Sequence, residues 1–572
     1  MKATFFHHRA GKLKISMPAL HCYTLILALI PVLTCPVLYG QAPFEETAPA
    51  KYRIEFTDKE NSPYSADNPA EFLSQKAIER RNRQNIPIGW SDIPVNPSYI
   101  DSIRATGAVI LTVSKWFNDV TILVGNDSIL NKVAKLTFVR KYARAKPFMV
   151  IPRKTDAPGG VQEVTDEPVT DYGPSWWQTA VHNGQLLHER GFYGKNVTIA
   201  VIDAGFYHVD QLPAFDMLWE EGRILGTRDF VLPGAGVFNS QTHGMIVLSI
   251  IAGYLPGELI GTAPDANFWL LRSEDTHSEF LIEEDNWTAA AEFADSVGAD
   301  IISSSLGYTT FDNPLQNHTY SDMDGNTTRI SRAADIAASK GLVVVASAGN
   351  QGGSAWKYIS APADADSVLA VGAVDQNRYV AFFSSRGPSS DGDVKPDVMA
   401  IGMGTYYAGD TGGLQQGNGT SLSAPVITGL SACLWQANPE ASAMQVIEAI
   451  RRSADRFTRP DVDYGYGIPD FNLADYLLRV SSGHAELTDK VTVFPNPFHD
   501  QLYIIFRQAV DDPVDISLFD LTGKEVARLN YPSFPGRNYL KFSWELNSLP
   551  RGLYIMKVLA GRLNGVTKLI KF

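Results

Sequence analysis

The stretch VTIAVIDAGF, residues 197–206, decides the fold class of the middle of the chain. It is a nearly continuous apolar run that ends in polar and glycine residues, and similar runs recur as NFWLLRS (267–273), DIISSSLG (300–307) and GLVVVASAGN (341–350), separated by helix-like segments. Continuous apolar strands that alternate with helices are typical of a parallel sheet covered on both faces. We therefore predict a doubly wound α/β domain with a mainly parallel sheet over residues 175–480, with ligands binding at the carboxyl ends of its strands.

A small α+β domain is predicted before this region, over residues 43–152. Within it, YRIEF (52–56) has the composition of a strand, and helices are predicted over 68–84 and 96–107. A second strand-like run follows over 108–124.

The two remaining segments differ in composition from both domains. Residues 153–174 are rich in Pro, Gly, Thr and Asp and have little to bury, which predicts an exposed linker. Residues 485–572 contain seven short apolar runs separated by Asn, Pro, Gly and Asp. Such closely spaced runs predict a small β-sandwich.

Composition limits the class of protein. The chain has 572 residues, more than one hydrophobic core can hold, and 45% of them are hydrophobic, so several folded domains are expected. The formal net charge of −13 argues against a nucleic-acid partner, because phosphate binding needs clustered lysines and arginines.

Residues 1–42 have the pattern of a secretory signal peptide. Basic residues precede an apolar run over 17–39, and a small, polar stretch follows it. A single membrane anchor is the main alternative, because the run is nearly long enough to span a bilayer. Pro31 and Pro36 interrupt the run and favour the signal peptide. Lipid attachment at Cys35 is a third alternative.

Removal of this segment leaves Cys433 as the one cysteine of the mature chain. One cysteine has no partner for an internal disulfide, so the hydrophobic core has to supply the stability. No further run of about twenty apolar residues follows, which predicts no transmembrane span in the mature chain.

Three polar residues that can act together lie at the ends of predicted elements. Asp203 ends the run VTIAVID, His243 begins the apolar helix HGMIVLSIIAG, and Ser421 begins another helix in GTSLSAP. Taken singly, each is more often a turn residue or a helix cap. Together, a carboxylate that orients an imidazole, the imidazole itself and a hydroxyl are the groups of nucleophilic acyl transfer, and Asp, His, Ser is one of the known chain orders.

Two further segments supply groups at the same edge of the sheet. GLVVVASAGN ends at Asn350, whose amide can donate to an oxyanion beside the backbone N–H of Ser421. Ser305, Leu306 and Gly307 follow another strand, where exposed backbone can pair with an extended peptide. His243 is not part of an HExxH motif and has no close Cys or His partner in the sequence, which argues against metal binding there.

The combined pattern resembles the subtilisin-like serine peptidases (subtilases). VIDAGF, HGM and GTSLSAP are similar to the Asp, His and Ser motifs of that family. The resemblance implies that Asp203 orients the imidazole, His243 acts as general base and acid, Ser421 is the nucleophile and Asn350 donates to the oxyanion. It also implies a secreted endopeptidase that cleaves polypeptides and needs no cofactor for chemistry.

Four residues near these motifs differ from those usual in the family, and none of them removes a catalytic group. They leave the shape of the cleft open. They are Ala204, Met245, Leu422 and Ser423.

The flanking domains carry resemblances of their own. Residues 43–152 stand where subtilases have their propeptide, which implies an intramolecular chaperone and inhibitor; an accessory domain that stays attached is the alternative. FPNPFHDQL (494–502), LFDLTGKEV (518–526) and LPRGLYIMKV (549–558) resemble the sorting domain of the type IX secretion pathway of Bacteroidetes. That resemblance implies type IX secretion machinery as a partner, and a secreted or cell-surface location in a Gram-negative bacterium. A carbohydrate-binding or adhesive β-module is the alternative.

Two other functions, and calcium as a ligand, are compatible with the sequence. A catalytically silent binding protein on a peptidase scaffold, or a structural adhesin, is compatible with the domain order. Many subtilases bind calcium, and SDMDGN (321–326) contains two carboxylates near a glycine, but its spacing does not fit the twelve-residue calcium loop. A polar turn explains that segment equally well.

Overall fold

Residues 50–146 and 171–481 and, with short gaps, residues 491–571 are described by the computed structural model. The predicted signal peptide (1–42) and nearly all of the predicted linker (153–174) lie outside the described residues. Among the residues that are described, no helix is long and apolar enough to cross a membrane.

The N-terminal domain (residues 50–146) is one antiparallel sheet with helices, in the strand order β2-β3-β1-β4. Ile54, Val120 and Ile122 form the centre of its core and are fully buried. Its elements are β1 (Ala50–Phe56), α1 (Gln75–Arg83), α2 (Pro97–Ala105), β2 (Val109–Ser114), β3 (Asp119–Val124), α3 (Asp127–Val133) and β4 (Val139–Lys146).

Two elements of this domain differ from the predicted ones. The helix predicted over 68–84 is split, because the Ser74 side chain accepts a hydrogen bond from the backbone N–H of Ala77 at 3.2 Å and so caps α1 at Gln75. The strand predicted over 108–124 is a hairpin. Asn118 adopts a φ of 54°, a left-handed conformation that asparagine tolerates, and the chain reverses there.

The middle domain (residues 171–481) is built on a seven-stranded parallel sheet in the order β13-β12-β11-β10-β5-β9-β6. Its elements are α4 (Trp176–Ala180), α5 (Gln185–His188), β5 (Thr198–Asp203), α6 (Asp216–Glu220), β6 (Ile224–Asp229), α7 (His243–Ala252), β7 (Tyr254–Leu255), β8 (Leu259–Ile260), β9 (Asn267–Arg272), α8 (Ile282–Val297), β10 (Ile301–Ser304), α9 (Arg329–Ser339), β11 (Val343–Ser347), β12 (Leu369–Val374), β13 (Val398–Ile401), β14 (Met403–Ala408), β15 (Leu414–Asn418), α10 (Thr420–Ala437), α11 (Ala443–Ser453) and α12 (Phe471–Ser481).

Both faces of this sheet are covered by helices, as the continuous apolar strands predict. On β5, Ile199 and Val201 pack with α7 and α10, whereas Ala200 and Ile202 point the other way and pack with α8 and α9. Alternate residues of a strand point to opposite faces, so a strand buried on both sides has to be apolar throughout. The predicted fold class is confirmed.

The C-terminal domain (residues 491–571) contains a three-stranded sheet, β16-β17-β20, and a four-stranded sheet, β19-β18-β21-β22. The two sheets share one apolar core, to which Ile504, Ile516 and Met556 contribute. Its strands are β16 (Val491–Phe494), β17 (Leu502–Phe506), β18 (Val514–Asp520), β19 (Glu525–Tyr531), β20 (Tyr539–Phe542), β21 (Gly552–Ala560) and β22 (Leu563–Lys571).

Contacts of the C-terminal domain with the middle domain centre on Asp470. The hydroxyl of Tyr503 donates to this carboxylate, and Lys541 Nζ lies 2.9 Å from its Oδ2 atom. A second contact is made by Tyr539, whose hydroxyl donates to the carbonyl of Arg452 at 2.7 Å. These polar contacts place β17 and β20 next to the last turn of α11 and the residue that precedes α12.

The N-terminal domain packs on α8 through buried charges. Asp295 accepts from Arg80 at 2.5 Å and from Arg81 at 2.8 Å, and Lys115 Nζ lies 3.3 Å from it. All four side chains are at most 9% exposed, so solvent screens these pairs little. Burial raises the pKa of Asp295, but the charges of Lys115, Arg80 and Arg81 outweigh this effect and leave that pKa below its usual value.

A second carboxylate of α8 binds the hairpin of the N-terminal domain. Glu292 accepts hydrogen bonds from the Ser114 hydroxyl at 2.5 Å and from the backbone N–H groups of Lys115 at 2.8 Å and Trp116 at 3.1 Å. Burial raises the pKa of Glu292 to about 7. The turn between β2 and β3 is therefore held by one buried side chain of the middle domain.

Candidate active site

Asp203 and His243 meet at the carboxyl end of the parallel sheet. Asp203 is the last residue of β5 and is fully buried, and His243 is the first residue of α7. Nδ1 of His243 lies 2.8 Å from Oδ1 of Asp203. The same oxygen accepts the backbone N–H of Ala204 at 2.7 Å. These bonds fix the carboxylate and with it the orientation of the imidazole.

Gly244 permits the close approach of α7 to β5. A methyl group at this position would lie 2.9 Å from Cβ of Asp203 and 2.9 Å from the ring of Phe206. Any larger residue after His243 would therefore push the imidazole away from Asp203.

Asp203 also sets the basicity of His243. Desolvation lowers the pKa of the imidazole, but the charge of Asp203 and its hydrogen bond raise it by more, so the net pKa lies above the usual value. The His243 side chain is 37% exposed. One edge of the ring is thus bonded to Asp203, while the other remains open to a reacting group.

Ser421 is the second residue of α10, the long helix that crosses one face of the sheet. The first backbone N–H groups of a helix have no partner within the helix and carry a partial positive charge. The N–H of Thr420 is bonded to Asn350 and that of Leu422 to the Gly419 carbonyl, which leaves the N–H of Ser421 as the donor next to its own side chain. Ser305, after β10, donates its hydroxyl to the Ser421 carbonyl at 2.9 Å and holds this end of α10 against the sheet.

Asn350 is bound to the start of α10 by its side-chain oxygen. Its Oδ1 accepts from the backbone N–H of Thr420 at 2.8 Å and from the Thr420 hydroxyl at 3.0 Å. The Nδ2 donor is left facing the opposite way. A methyl group on Gly419 would lie 2.9 Å from Oγ of Ser421 and 3.7 Å from both Asn350 Nδ2 and the Ser421 backbone nitrogen. These three groups therefore surround one small space.

The predicted peptide-binding residues lie beside this space. Ser305, Leu306 and Gly307 directly follow β10; Leu306 is buried and Gly307 is exposed. Beyond them the backbone is already paired, because Tyr308 N–H donates to the Ala361 carbonyl at 2.9 Å. The roles of all seven predicted site residues remain predictions, but the structure brings all seven to the carboxyl ends of neighbouring strands.

The connection after β9, residues 273–281, borders the same site and was missed by the sequence reasoning. Backbone N–H of Ser273 donates to the Asp203 carbonyl at 3.0 Å. Thr276 accepts from the side chain of Gln241 at 2.9 Å, two residues before His243. A signal was present in the sequence, because this acidic connection follows an apolar strand, at the edge where parallel sheets bind ligands.

The carboxylates of SDMDGN (321–326) serve local turns. Asp322 accepts the backbone N–H of Thr319 at 2.7 Å, and Asp324 accepts that of Asn326 at 2.9 Å. The polar-turn interpretation therefore accounts for this segment, and it does not fit a calcium loop.

Three family models match the three domains. The model of the subtilase family matches residues 194–468. That of the peptidase S8 propeptide domain of Bacteroidota matches residues 51–158, and that of the secretion system C-terminal sorting domain matches residues 492–571. These matches confirm the three resemblances and point to a secreted or cell-surface protein of Bacteroidota.

Individual relatives are similar to the middle domain. Serine protease AprX of Bacillus subtilis (strain 168) is 30% identical over 317 residues, which make up 50% of this chain and 66% of that protein. Thermophilic serine proteinase of Bacillus sp. (strain AK1) is 30% identical over 324 residues, 55% of this chain and 68% of that protein. The crystal structure of MycP1 from Mycobacterium smegmatis aligns with a TM-score of 0.44 at 23% identity, over 57% of this chain and 89% of that one. The match to the subtilase family model and to the thermophilic serine proteinase of Bacillus sp. shows that the chain belongs to the subtilase family of serine peptidases.

Proposed function

We propose that the protein is a secreted serine endopeptidase that hydrolyses peptide bonds through an acyl-enzyme on Ser421. The observation that carries this proposal is the bond of 2.8 Å between His243 and Asp203 at the sheet edge, together with Ser421 at the start of α10. A carboxylate, an imidazole and a hydroxyl at one site are what acyl transfer requires.

Each group has one task in the proposed reaction. His243 accepts the proton of the Ser421 hydroxyl as Oγ bonds to the peptide carbonyl carbon, and then gives that proton to the leaving amine as the C–N bond breaks. Water, deprotonated by His243, attacks the carbonyl carbon of the resulting ester. The bond from that carbon to Ser421 Oγ then breaks, the acid is released, and His243 returns the proton to Oγ. Asp203 stabilises the imidazolium in both halves of the reaction.

The oxyanion formed in each half-reaction needs donors that are in place beforehand. Asn350 Nδ2 and the backbone N–H of Ser421 are these donors in the proposal. Both lie 3.7 Å from the same point above Gly419, and the oxygen of the Asn350 side chain is held by Thr420.

The function is tested by covalent labelling of the processed chain with a fluorophosphonate probe, followed by mapping of the modified residue. We expect stoichiometric label on Ser421 and loss of peptide hydrolysis in step with labelling. Label on another residue, or none on the processed chain, would contradict the proposal and favour the second candidate, a catalytically silent binding protein on a peptidase scaffold.

Asn350→Ala is expected to lower kcat about 10²- to 10³-fold and to leave KM nearly unchanged, because it removes one oxyanion donor. The matched control is Asn350→Asp, which keeps the oxygen that accepts from Thr420 and replaces the donor amide with a second oxygen. It should lose at least as much activity at an unchanged Tm. Full activity in Asn350→Asp would show that another group stabilises the oxyanion.

The flanking domains extend the proposal to the export and proteolytic maturation of the chain. We infer that the N-terminal domain assists folding and inhibits the peptidase until it is cleaved off. The C-terminal domain directs export through type IX secretion machinery, after which the protein is released or attached to the outer membrane. N-terminal sequencing and intact mass of the secreted form test both steps, and a secreted chain that keeps both domains would refute the maturation scheme.

A further inference from the structure

A lysine of the N-terminal domain is bound at the wall of the candidate active site. Lys146, the last residue of β4, places its Nζ atom 2.8 Å from Oδ2 of Asp275 and also donates to the hydroxyl of Ser278. The ring centre of Phe280 lies 5.4 Å from the same nitrogen, which is within the range at which an aromatic face attracts a cation. Asp275, Ser278 and Phe280, here called the lysine site, all belong to the connection after β9.

The backbone next to Lys146 is bound in the way that an extended peptide is bound. Gln316, in the connection after β10, donates its side-chain amide to the carbonyls of Arg144 at 3.4 Å and Ala145 at 3.3 Å. The buried side chain of Ala145 packs with Phe280. Bonds to the main chain combined with a separate site for one side chain are a general mode of peptide recognition.

The two connections that hold this strand end also border the candidate catalytic residues. In the connection after β9, Ser273 donates its backbone N–H to the Asp203 carbonyl at 3.0 Å. In the connection after β10, the Ser305 hydroxyl donates to the Ser421 carbonyl at 2.9 Å. A polypeptide that lies between the two connections can therefore contact the catalytic groups and the lysine site at the same time.

The lysine site fits an ammonium group better than a guanidinium group. Oδ1 of Asp275 already accepts the backbone N–H of His277 at 3.3 Å, so Oδ2 is the oxygen that faces Lys146. A guanidinium binds best when it reaches both oxygens of a carboxylate, whereas an ammonium binds as a point charge. Burial raises the pKa of Asp275, but the hydrogen bond and the charge of Lys146 lower it by more, to about 2.

We propose that the lysine site is a substrate subsite, which Lys146 fills in the precursor and a lysine of the substrate fills after the N-terminal domain has left. The inference rests on the proposed peptidase function and adds a class of substrate to it, namely polypeptides with a lysine at a fixed spacing from the cleaved bond. The Asp275 side chain is 22% exposed beside Lys146. Loss of Lys146 deprives this partly buried carboxylate of its cation, and a substrate lysine restores the pair.

The test uses the processed chain and a set of otherwise uncharged peptides in which a single lysine is moved one position at a time. Mass spectrometry of the products identifies the cleaved bond, which we expect at a constant number of residues from the lysine. Norleucine in place of that lysine keeps an aliphatic side chain without the charge. It should lower kcat/KM about tenfold or more, the range expected for a hydrogen bond to a charged group, and arginine should give an intermediate value.

Asp275→Asn should abolish the difference between the lysine and norleucine peptides. It should lower kcat/KM for the lysine peptide to that of the norleucine peptide, which itself stays unchanged. Asp210→Asn, at an exposed carboxylate outside the lysine site, is the matched control and should keep the full difference. Should Asp275→Asn not mature, Ser278→Ala removes the second partner of the ammonium and should reduce the difference.

Two results would overturn the proposal. One is a processed chain that cleaves the lysine and norleucine peptides equally well; the other is a preference for lysine that persists undiminished in Asp275→Asn or Ser278→Ala. A processed chain that cleaves none of the peptides would contradict the proposed function itself, and with it this inference. The two kinds of failure are therefore distinguishable.

Discussion

Asp203→Asn is expected to lower kcat of the processed chain about 10⁴-fold, the order of loss that follows when the orienting carboxylate of a triad becomes neutral. Asparagine keeps the size of the side chain but removes the charge. The imidazole of His243, which Asp203 holds at 2.8 Å, then loses its tautomer preference and the stabilisation of its charged form.

The same substitution should move the acid limb of the pH–rate profile. A general base works only when neutral, so activity rises as the pH passes through the pKa of His243. In the parent enzyme that pKa is raised by Asp203 against the effect of burial, so the limb lies at a higher pH than the ordinary pKa of histidine would give. In Asp203→Asn burial acts alone, so the limb should shift to lower pH.

The measurement is kcat/KM against pH for both proteins, with Asp210→Asn as control because Asp210 is an exposed carboxylate on the same connection. The control should match the parent in rate and in the position of the limb. A limb that stays in place in Asp203→Asn would mean that Asp203 does not set the basicity of His243.

Asp295→Asn is expected to lower the free energy of unfolding of the uncleaved chain by about 3–5 kcal/mol, the cost of removing one partner from a buried ion pair. Asparagine has the same shape but no charge to offset Arg80, Arg81 and Lys115. Urea unfolding in the Ser421→Ala background, which keeps the chain uncleaved, measures the change.

Asp101→Asn is the matched control for Asp295→Asn. Asp101 and Arg104 form an ion pair at 2.9 Å whose side chains are 71% and 60% exposed, and exposed pairs contribute about 0–1 kcal/mol. Equal destabilisation by the two substitutions would show that the cations around Asp295 are solvated rather than buried.

The large effect expected at Asp295 reflects how the N-terminal domain is attached. The covered face of α8 carries buried carboxylates, including Glu292 and Asp295, and the N-terminal domain brings cations and backbone donors to them. Buried acidic groups of this kind are rare unless they are paired. In the proposed maturation the N-terminal domain is cleaved off, and water can then hydrate these carboxylates, so α8 does not depend on the N-terminal domain for polar partners.

The pattern of apolar strands with polar residues at their ends was enough to predict the fold class and the candidate catalytic residues. A strand of a two-sided parallel sheet has to be apolar along its whole length, and polar residues are then confined to its ends, where such sheets bind ligands. That is why Asp203, at the end of β5, was a candidate, although only its combination with the His243 and Ser421 motifs made the pattern specific. Helix boundaries were less certain, because the cap at Ser74 is one hydrogen bond within a longer helix-forming run.

Only the tertiary structure decided which distant side chains meet. Asn350 and Thr420 are 70 residues apart, Ser305 and Ser421 are 116 apart, and Arg80 and Asp295 are 215 apart. No periodicity connects such pairs. The burial of Glu283, in the first turn of α8, is of the same kind, since an acidic first turn of a helix normally faces water. The sequence by itself therefore determined the sheet and the candidate residues at its edge. The packing of elements determined the partners, because burial and charge pairing depend on contacts that no local segment contains.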